Sequence, residues 1–204
     1  MTTSGATIER MRQYRKTYAA MLVSSILSLV AALVLSIDAW KLAANPDSKF
    51  ACDINAVVSC GKVAKAWQST LLGFPNSFIG LMTEPVVIAI AVAGLGLVAF
   101  PRWFMRAAHF VYGLGLIFAL WLLSQSFFVI KAFCPWCLLV TVSTITVFST
   151  MSRIVIMENT WNLPDSVSTK LTNFLNRGFG RTLYVFIYAA LFVAILMKYG
   201  DKIF

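Results

Sequence analysis

The chain has 204 residues and a formal net charge of +9, with 59% of its residues hydrophobic and only 12% charged. A soluble domain of this length does not need so much apolar surface, which excludes an ordinary water-soluble enzyme. The basic residues fall between long apolar runs, so they read as topology signals and lipid headgroup partners, and a nucleic-acid footprint is excluded.

Residues 1–16 form a polar, basic tail, expected to be unordered at first and helical toward Arg15. Residues 17–37 then run 21 positions without a charge. The preceding MRQYRK gives this stretch the look of a signal peptide, but it exceeds the usual apolar core of such a peptide, so it is expected to be a retained anchor and first span. Residues 38–74 form a long outer loop carrying Cys52 and Cys60. Within it, Val63, Trp67 and Leu71 recur at four-residue spacing, which predicts a short amphipathic helix lying over the outer mouth of the bundle, with a solvated loop helix as the competing reading. Gly73 and Pro75 end that segment. Asn76 and Ser77 stand before the next apolar run, where either side chain would cap a helix.

Residues 78–100 form the second apolar stretch, with Glu84 as its one charge. A short inner connection follows at 101–106, and residues 107–130 form a third stretch that contains His109. After a tight outer turn at 131–133, residues 134–157 form the fourth, opened by FCPWC and charged only at Arg153. A polar connection at 158–182 leads to the fifth and shortest stretch, at 183–199, followed by a short outer tail to 204. A helix needs roughly 20 residues to cross the hydrocarbon core. Backbone polar groups in lipid must be satisfied within the segment, so these stretches are helices. The fold class expected is an all-α integral membrane protein. Four transmembrane helices over 17–157 form one bundle, and a fifth lies at its periphery.

With the N-terminus placed in the cytoplasm and five alternating spans, ten Lys and Arg side chains lie inside and seven outside, and every arginine is inside. The positive-inside rule therefore predicts N-terminus in. The protein is expected in the inner or plasma membrane as a multi-pass protein, with both cysteine pairs on the extracytoplasmic side. Disulfides persist there.

The pairs are the chemical feature. Cys-x-x-Cys is the usual spacing of a dithiol that opens and closes readily. In CPWC the first cysteine sits at a helix start, where the helix dipole favours a thiolate, the attacking form in exchange. Cys137, three residues on, faces down into the bundle from nearly the same side. One sulfur toward the surface and one toward the apolar interior suit transfer between a water-side thiol and a lipid-soluble two-electron acceptor, of which a quinone is the obvious kind. Two other readings compete. A structural disulfide across so short a loop gains little closure entropy. A four-cysteine zinc site is disfavoured because CDINAVVSC has seven residues between its cysteines, where zinc ribbons prefer two to four. No metal is expected.

The order of features resembles the vitamin K epoxide reductase family over residues 17–157: an apolar span, a C-D-x(6)-C loop, N-S-x-x-G at the head of span two, and C-x-x-C opening span four. It is most similar to bacterial members that regenerate disulfide catalysts outside the cytoplasm. The resemblance implies a four-helix bundle enclosing a quinone of the menaquinone or ubiquinone type. It implies catalytic roles for Cys52, Cys60, Cys134 and Cys137. Cys52 exchanges with the dithiol of a DsbA-like, thioredoxin-fold partner, Cys60 exchanges with Cys134, and Cys137 delivers electrons to the quinone. Asn76 matches the position that hydrogen-bonds a quinone carbonyl, and Ser77, Cys137 and Thr141 are expected beside the ligand. In some members the fifth span leads to a fused thioredoxin-like domain. The end of this chain at Phe204 implies a separate partner. Two positions depart from the pattern. Ala66 stands where many members have a proton-handling Ser or Thr, with Ser69 nearby as a substitute. Thr141 stands where vertebrate enzymes have a substrate-contacting tyrosine, which favours a plain quinone over epoxide reduction.

Among other polar groups, Glu84 is a functional candidate as an intramembrane carboxyl. The competing reading is a protonated side chain bonded near Pro85, where a backbone acceptor is freed. Glu84 follows Asn76 by eight residues, on roughly the same helical face. His109 is expected to be structural. Ser124, Gln125 and Ser126 are expected either to line the quinone mouth or to bond between helices, and Gly94, Gly96, Gly113 and Gly115 to permit close helix packing.

Overall fold

The computed structural model describes residues 3–55 and 57–176. Its elements are α1 (Thr3–Ala44), α2 (Cys60–Ala64), a 3-10 turn (Trp67–Thr70), α3 (Ser77–Leu95), α4 (Arg102–Gln125) continued by a π-helical turn (Ser126–Ile130), α5 (Pro135–Met157) and α6 (Asp165–Asn176). Four helical stretches among the described residues are long and apolar enough to cross a membrane: Tyr14–Ala44, Ser77–Leu95, Arg102–Ile130 and Pro135–Met157. The described residues thus have the helical architecture of a multi-pass membrane protein. The expected fifth span lies outside the described residues.

Several boundaries differ from those expected. Among the described residues the first helix is continuous from Thr3, so the stretch from Thr3 to Arg15 is already helical. It also runs on through Asp38 and Trp40 to Ala44, and the outer loop starts seven residues later than hydropathy alone placed it. A charged side chain at the headgroup level reaches water without ending a helix. The second span stops at Leu95, where Gly96 caps the helix and Leu97 takes a left-handed φ of 61°. Arg102 and Arg106 lie within α4 instead of a connector, because Pro101 sets the helix start and both Phe104 and Met105 donate to its carbonyl. The polar inner connection contains α6.

The helix α1 packs on α3 and on α5, and α4 packs on α5, whereas direct contact between α3 and α4 is slight. The closely packed part of the bundle holds Tyr18, Met21, Ile90, Met105, Met151 and Ile154. Gly94 lets α3 approach α1 there: a methyl group at that position would overlap the Tyr18 ring. Gly113 faces Phe148 at close range, but Gly96 serves the helix end and a side chain at Gly115 would meet open space. The packing role therefore holds for two of the four glycines named from sequence. His109 pairs with the Ser152 hydroxyl at 2.8 Å and stacks on Phe148 at 4.9 Å, a packing role as expected.

Candidate functional site

The outer loop is built around one carboxylate. Asp53 accepts hydrogen bonds from the Phe50 N–H at 2.8 Å, the Ser59 hydroxyl at 2.7 Å and the Gly61 N–H at 2.9 Å. These bonds fold the segment between the two loop cysteines back on itself. Burial opposes the charge, but the donors outweigh it and hold the Asp53 carboxyl below its ordinary range. Asn55 Oδ1 accepts from Val57 and Val58 N–H, tightening the same turn. Cys52 and Cys60 are joined in a disulfide with Cα atoms 5.6 Å apart.

A short backbone bridge then fixes this loop to the start of α5. The Phe133 N–H donates to the Val57 carbonyl at 2.7 Å, and the Ser59 N–H donates to the Phe133 carbonyl at 3.0 Å. The residues that follow this bridge are Cys60 and Cys134. Their sulfurs consequently meet at 3.3 Å. Cys134 is the N-cap of α5, extended at φ −107° and ψ 116°, with Pro135 supplying the first helical residue. Its sulfur accepts from the Cys137 N–H at 3.4 Å. The Cys137 thiol is the largest influence lowering the Cys134 thiol from its ordinary value; burial opposes this, and the Cys137 and Trp136 N–H groups add to the lowering. Cys134 and Cys137 are free thiols. With Cys52 and Cys60 bonded to each other, the four sulfurs form no tetrathiolate set in this state. Phe50, Leu35, Leu42, Val63 and Trp136 enclose the cysteines in an apolar setting.

Below the cysteines lies a cavity of about 1090 Å³, walled by α1, α3, α4 and α5 and roofed by residues 68–75. Cys60, Cys134, Cys137, Asn76, Ser77 and Thr141 all line it. Cys52 does not; it is 8% exposed and lies on the loop side of the disulfide. Met82, Val86, Val111 and Leu114 line the cavity and are also exposed, so it opens laterally where α3 and α4 stand apart.

Individual side chains depart from expectation in instructive ways. Asn76 stands at the N-cap position of α3 but makes no side-chain cap. Its Nδ2 donates to the Gln68 carbonyl at 2.6 Å, and its Oδ1 is buried without a partner. Ser77 accepts from the Ser36 hydroxyl at 2.9 Å, tying α3 to α1. Thr141 donates to the Cys137 carbonyl at 2.9 Å, as threonines within helices commonly do. The single amphipathic helix expected over 61–72 is instead two short pieces. Ala66 is extended, with ψ 140°, and the Ser69 hydroxyl donates to the Ala64 and Ala66 carbonyls, satisfying acceptors at the break. The same bonds engage the Ser69 proton with the backbone at the break. Trp67 is 63% exposed and meets Trp121 edge-on, while Val63 packs on the cysteines, so the expected face is divided. Gln125 accepts from Gln68 at 3.4 Å and Ser126 lines the cavity, whereas Ser124 bonds its own helix. Asp53 is the residue of the candidate site to which the sequence assigns no role of its own. Its position next to Cys52 in the C-D-x(6)-C segment was the available signal.

Thiol pairs brought together at one end of a bundle of membrane-length helices define a membrane thiol oxidoreductase. A model of the Vitamin K epoxide reductase family matches residues 19–152, and the chain belongs to that family, whose members are oxidoreductases. A comparison with curated proteins finds no match.

Proposed function

We propose that the protein reoxidises an extracytoplasmic, DsbA-like thioredoxin-fold partner and passes the electrons through its two cysteine pairs to a membrane quinone, thereby supporting disulfide formation. The observation that carries this reading is the 3.3 Å approach of Cys60 to Cys134, with Cys137 of the second pair on the wall of a lipid-accessible cavity. In the first step, a thiolate of the partner attacks the Cys52–Cys60 disulfide at Cys52. A mixed disulfide forms, Cys60 leaves as a thiolate, and the partner's second thiol then releases Cys52. In the second, the Cys60 thiolate attacks Cys134 of an oxidised Cys134–Cys137 disulfide. Cys137 is released, and Cys52 then attacks Cys60 and frees Cys134. The reduced Cys134–Cys137 pair finally gives two electrons and two protons to the quinone, which leaves as quinol while the Cys134–Cys137 disulfide reforms.

The lowered Cys134 thiol favours the close of the second step, where Cys134 is the sulfur that leaves, because a more acidic thiol leaves faster. The loop pair closed and the helix pair open is the state between the second and third steps. Asn76 and Thr141 border the cavity, and the unpartnered Asn76 Oδ1 is an acceptor suited to a ring hydroxyl. The lateral opening between α3 and α4 suits a substrate that arrives from the bilayer, of the menaquinone or ubiquinone type. The N-terminus lies in the cytoplasm in this reading, which puts the cysteines outside.

Quinone reduction driven by a reduced thioredoxin-fold protein, with each cysteine changed to alanine in turn, tests the proposal. Each substitution is expected to stop partner-driven turnover. Wild-type rates in all four variants would overturn it.

A further inference from the structure

Glu84 takes no part in the cysteine path, yet it lies on the wall of the same cavity and is only 3% exposed. Its surroundings differ from those expected near Pro85. No freed backbone carbonyl holds it. Its Oε1 instead accepts from the Ser28 hydroxyl of α1 at 2.8 Å and from the Tyr112 hydroxyl of α4 at 2.9 Å. Both donors converge on one oxygen. The other, Oε2, is buried and has no partner. A buried polar atom left bare is costly, and side chains used only for packing are arranged to avoid it.

Among the described residues, three buried side-chain polar atoms lack a partner: Asn76 Oδ1, Glu84 Oε2 and Arg153 Nε. The first two belong to residues on the cavity wall, and the third does not. Asn76 and Glu84 are eight positions apart on one helix, a rise of about 12 Å. The two oxygens of a 1,4-quinol ring stand about 5 Å apart, so a quinol with a hydrogen bond at each end spans about 11 Å. The rise between the two residues along α3 is therefore close to the length of such a head group.

We propose that Glu84 is the deep terminus of the ligand site, its free carboxyl oxygen hydrogen-bonding the ring oxygen remote from Cys137. This inference rests on the quinone reading of the cavity. Ser28 and Tyr112 are positioning residues: by holding Oε1 they leave Oε2 as the carboxyl oxygen still free to bond. The site then selects rings with two opposed oxygens over rings with one. A protonated Glu84 donates to a quinone carbonyl, and an ionised one accepts from a quinol hydroxyl.

The experiment compares 1,4-naphthoquinone with 1-tetralone, a similar bicycle with a single carbonyl. Binding is followed by tryptophan quenching in the fully oxidised protein, where no turnover occurs. Glu84→Leu is expected to weaken naphthoquinone about tenfold, the worth of one buried hydrogen bond, and to leave tetralone within about twofold. Tyr112→Phe is expected to weaken naphthoquinone by a smaller factor, with the same selectivity. Glu84→Gln keeps a donor toward the ligand but loses the acceptor, so it should retain the quinone and weaken 1,4-naphthohydroquinone. This shape-conserving variant decides the matter if Glu84→Leu does not fold. Equal weakening of both ligands, or of neither, would overturn the role of Glu84, as would an unchanged quinone-to-quinol preference in Glu84→Gln. Failure of the wild-type protein to bind naphthoquinone at all would instead overturn the quinone reading itself.

Discussion

The two cysteine pairs are built on opposite principles. Cys52 and Cys60 are separated by eight positions of irregular chain, and their approach depends on Asp53 gathering three donors around one carboxylate. Cys134 and Cys137 are separated by three, and a helix start places them with no help from distant residues. The loop pair is thus shaped by a hydrogen-bond network that can be undone, and the helix pair by backbone geometry that cannot. The proposed relay would benefit from this difference: in it, the pair that meets a large partner must be able to yield, and the pair that meets a small lipid-soluble acceptor must stay in place.

The sharpest test separates the pairs by the source of electrons. Cys137→Ala is expected to abolish quinone reduction, a loss on the order of a thousandfold, whether a protein partner or dithiothreitol supplies the electrons. Cys52→Ala is expected to abolish only the partner-driven reaction, because a small dithiol reaches Cys134–Cys137 directly. If Cys52→Ala lost both rates equally, the two pairs would not be distinct stations.

Asp53→Asn comes next. Replacing charge-assisted acceptance by a neutral amide is expected to slow partner-driven turnover about tenfold and leave dithiothreitol-driven turnover unchanged. A third comparison concerns thiolate formation at Cys134, followed by its ultraviolet absorbance against pH. Its midpoint is expected below the ordinary thiol value of 9.0. Cys137→Ala removes the largest lowering influence and should move the midpoint up. The smallest effect is acid loosening of the loop. The Asp53 carboxyl titrates below its ordinary 3.8, so its contribution is complete above that value and is lost as pH falls through the lowered one. Limited proteolysis between Cys52 and Cys60 should accelerate only in that acid range.

Much of this was legible in the chain. Hydropathy located four spans that the structure also has, because a helix in lipid must be long and apolar whatever its neighbours do. The ends were less legible. α1 outruns its apolar stretch by seven residues, and α4 starts at Arg102, since long polar side chains at a membrane surface reach water from within a helix. The break at Ala66 was invisible to periodicity, because Val63, Trp67 and Leu71 keep helical spacing across it while packing on the cysteines draws only Val63 inward. At the candidate site, spacing and resemblance single out the cysteines, Asn76 and Thr141, and all of these but Cys52 line one cavity. Asp53 was passed over because one carboxylate in a polar loop carries no pattern of its own.

The sequence by itself determined the membrane class, the number of spans up to Met157, and the placing of Cys134 ahead of a proline-initiated helix. Each follows from local properties: hydropathy summed along a window, or the backbone preference of neighbouring residues. Only the tertiary structure decided that Cys60 and Cys134, 74 positions apart, touch. It alone decided that the slight contact between α3 and α4 leaves a laterally open cavity, and that Asn76 and Glu84, which line it, each keep one buried oxygen without a partner. Those outcomes depend on which surfaces of distant segments meet. The bridge between Val57, Ser59 and Phe133 that joins the two cysteine pairs is made of backbone groups, which every residue but proline carries in the same form.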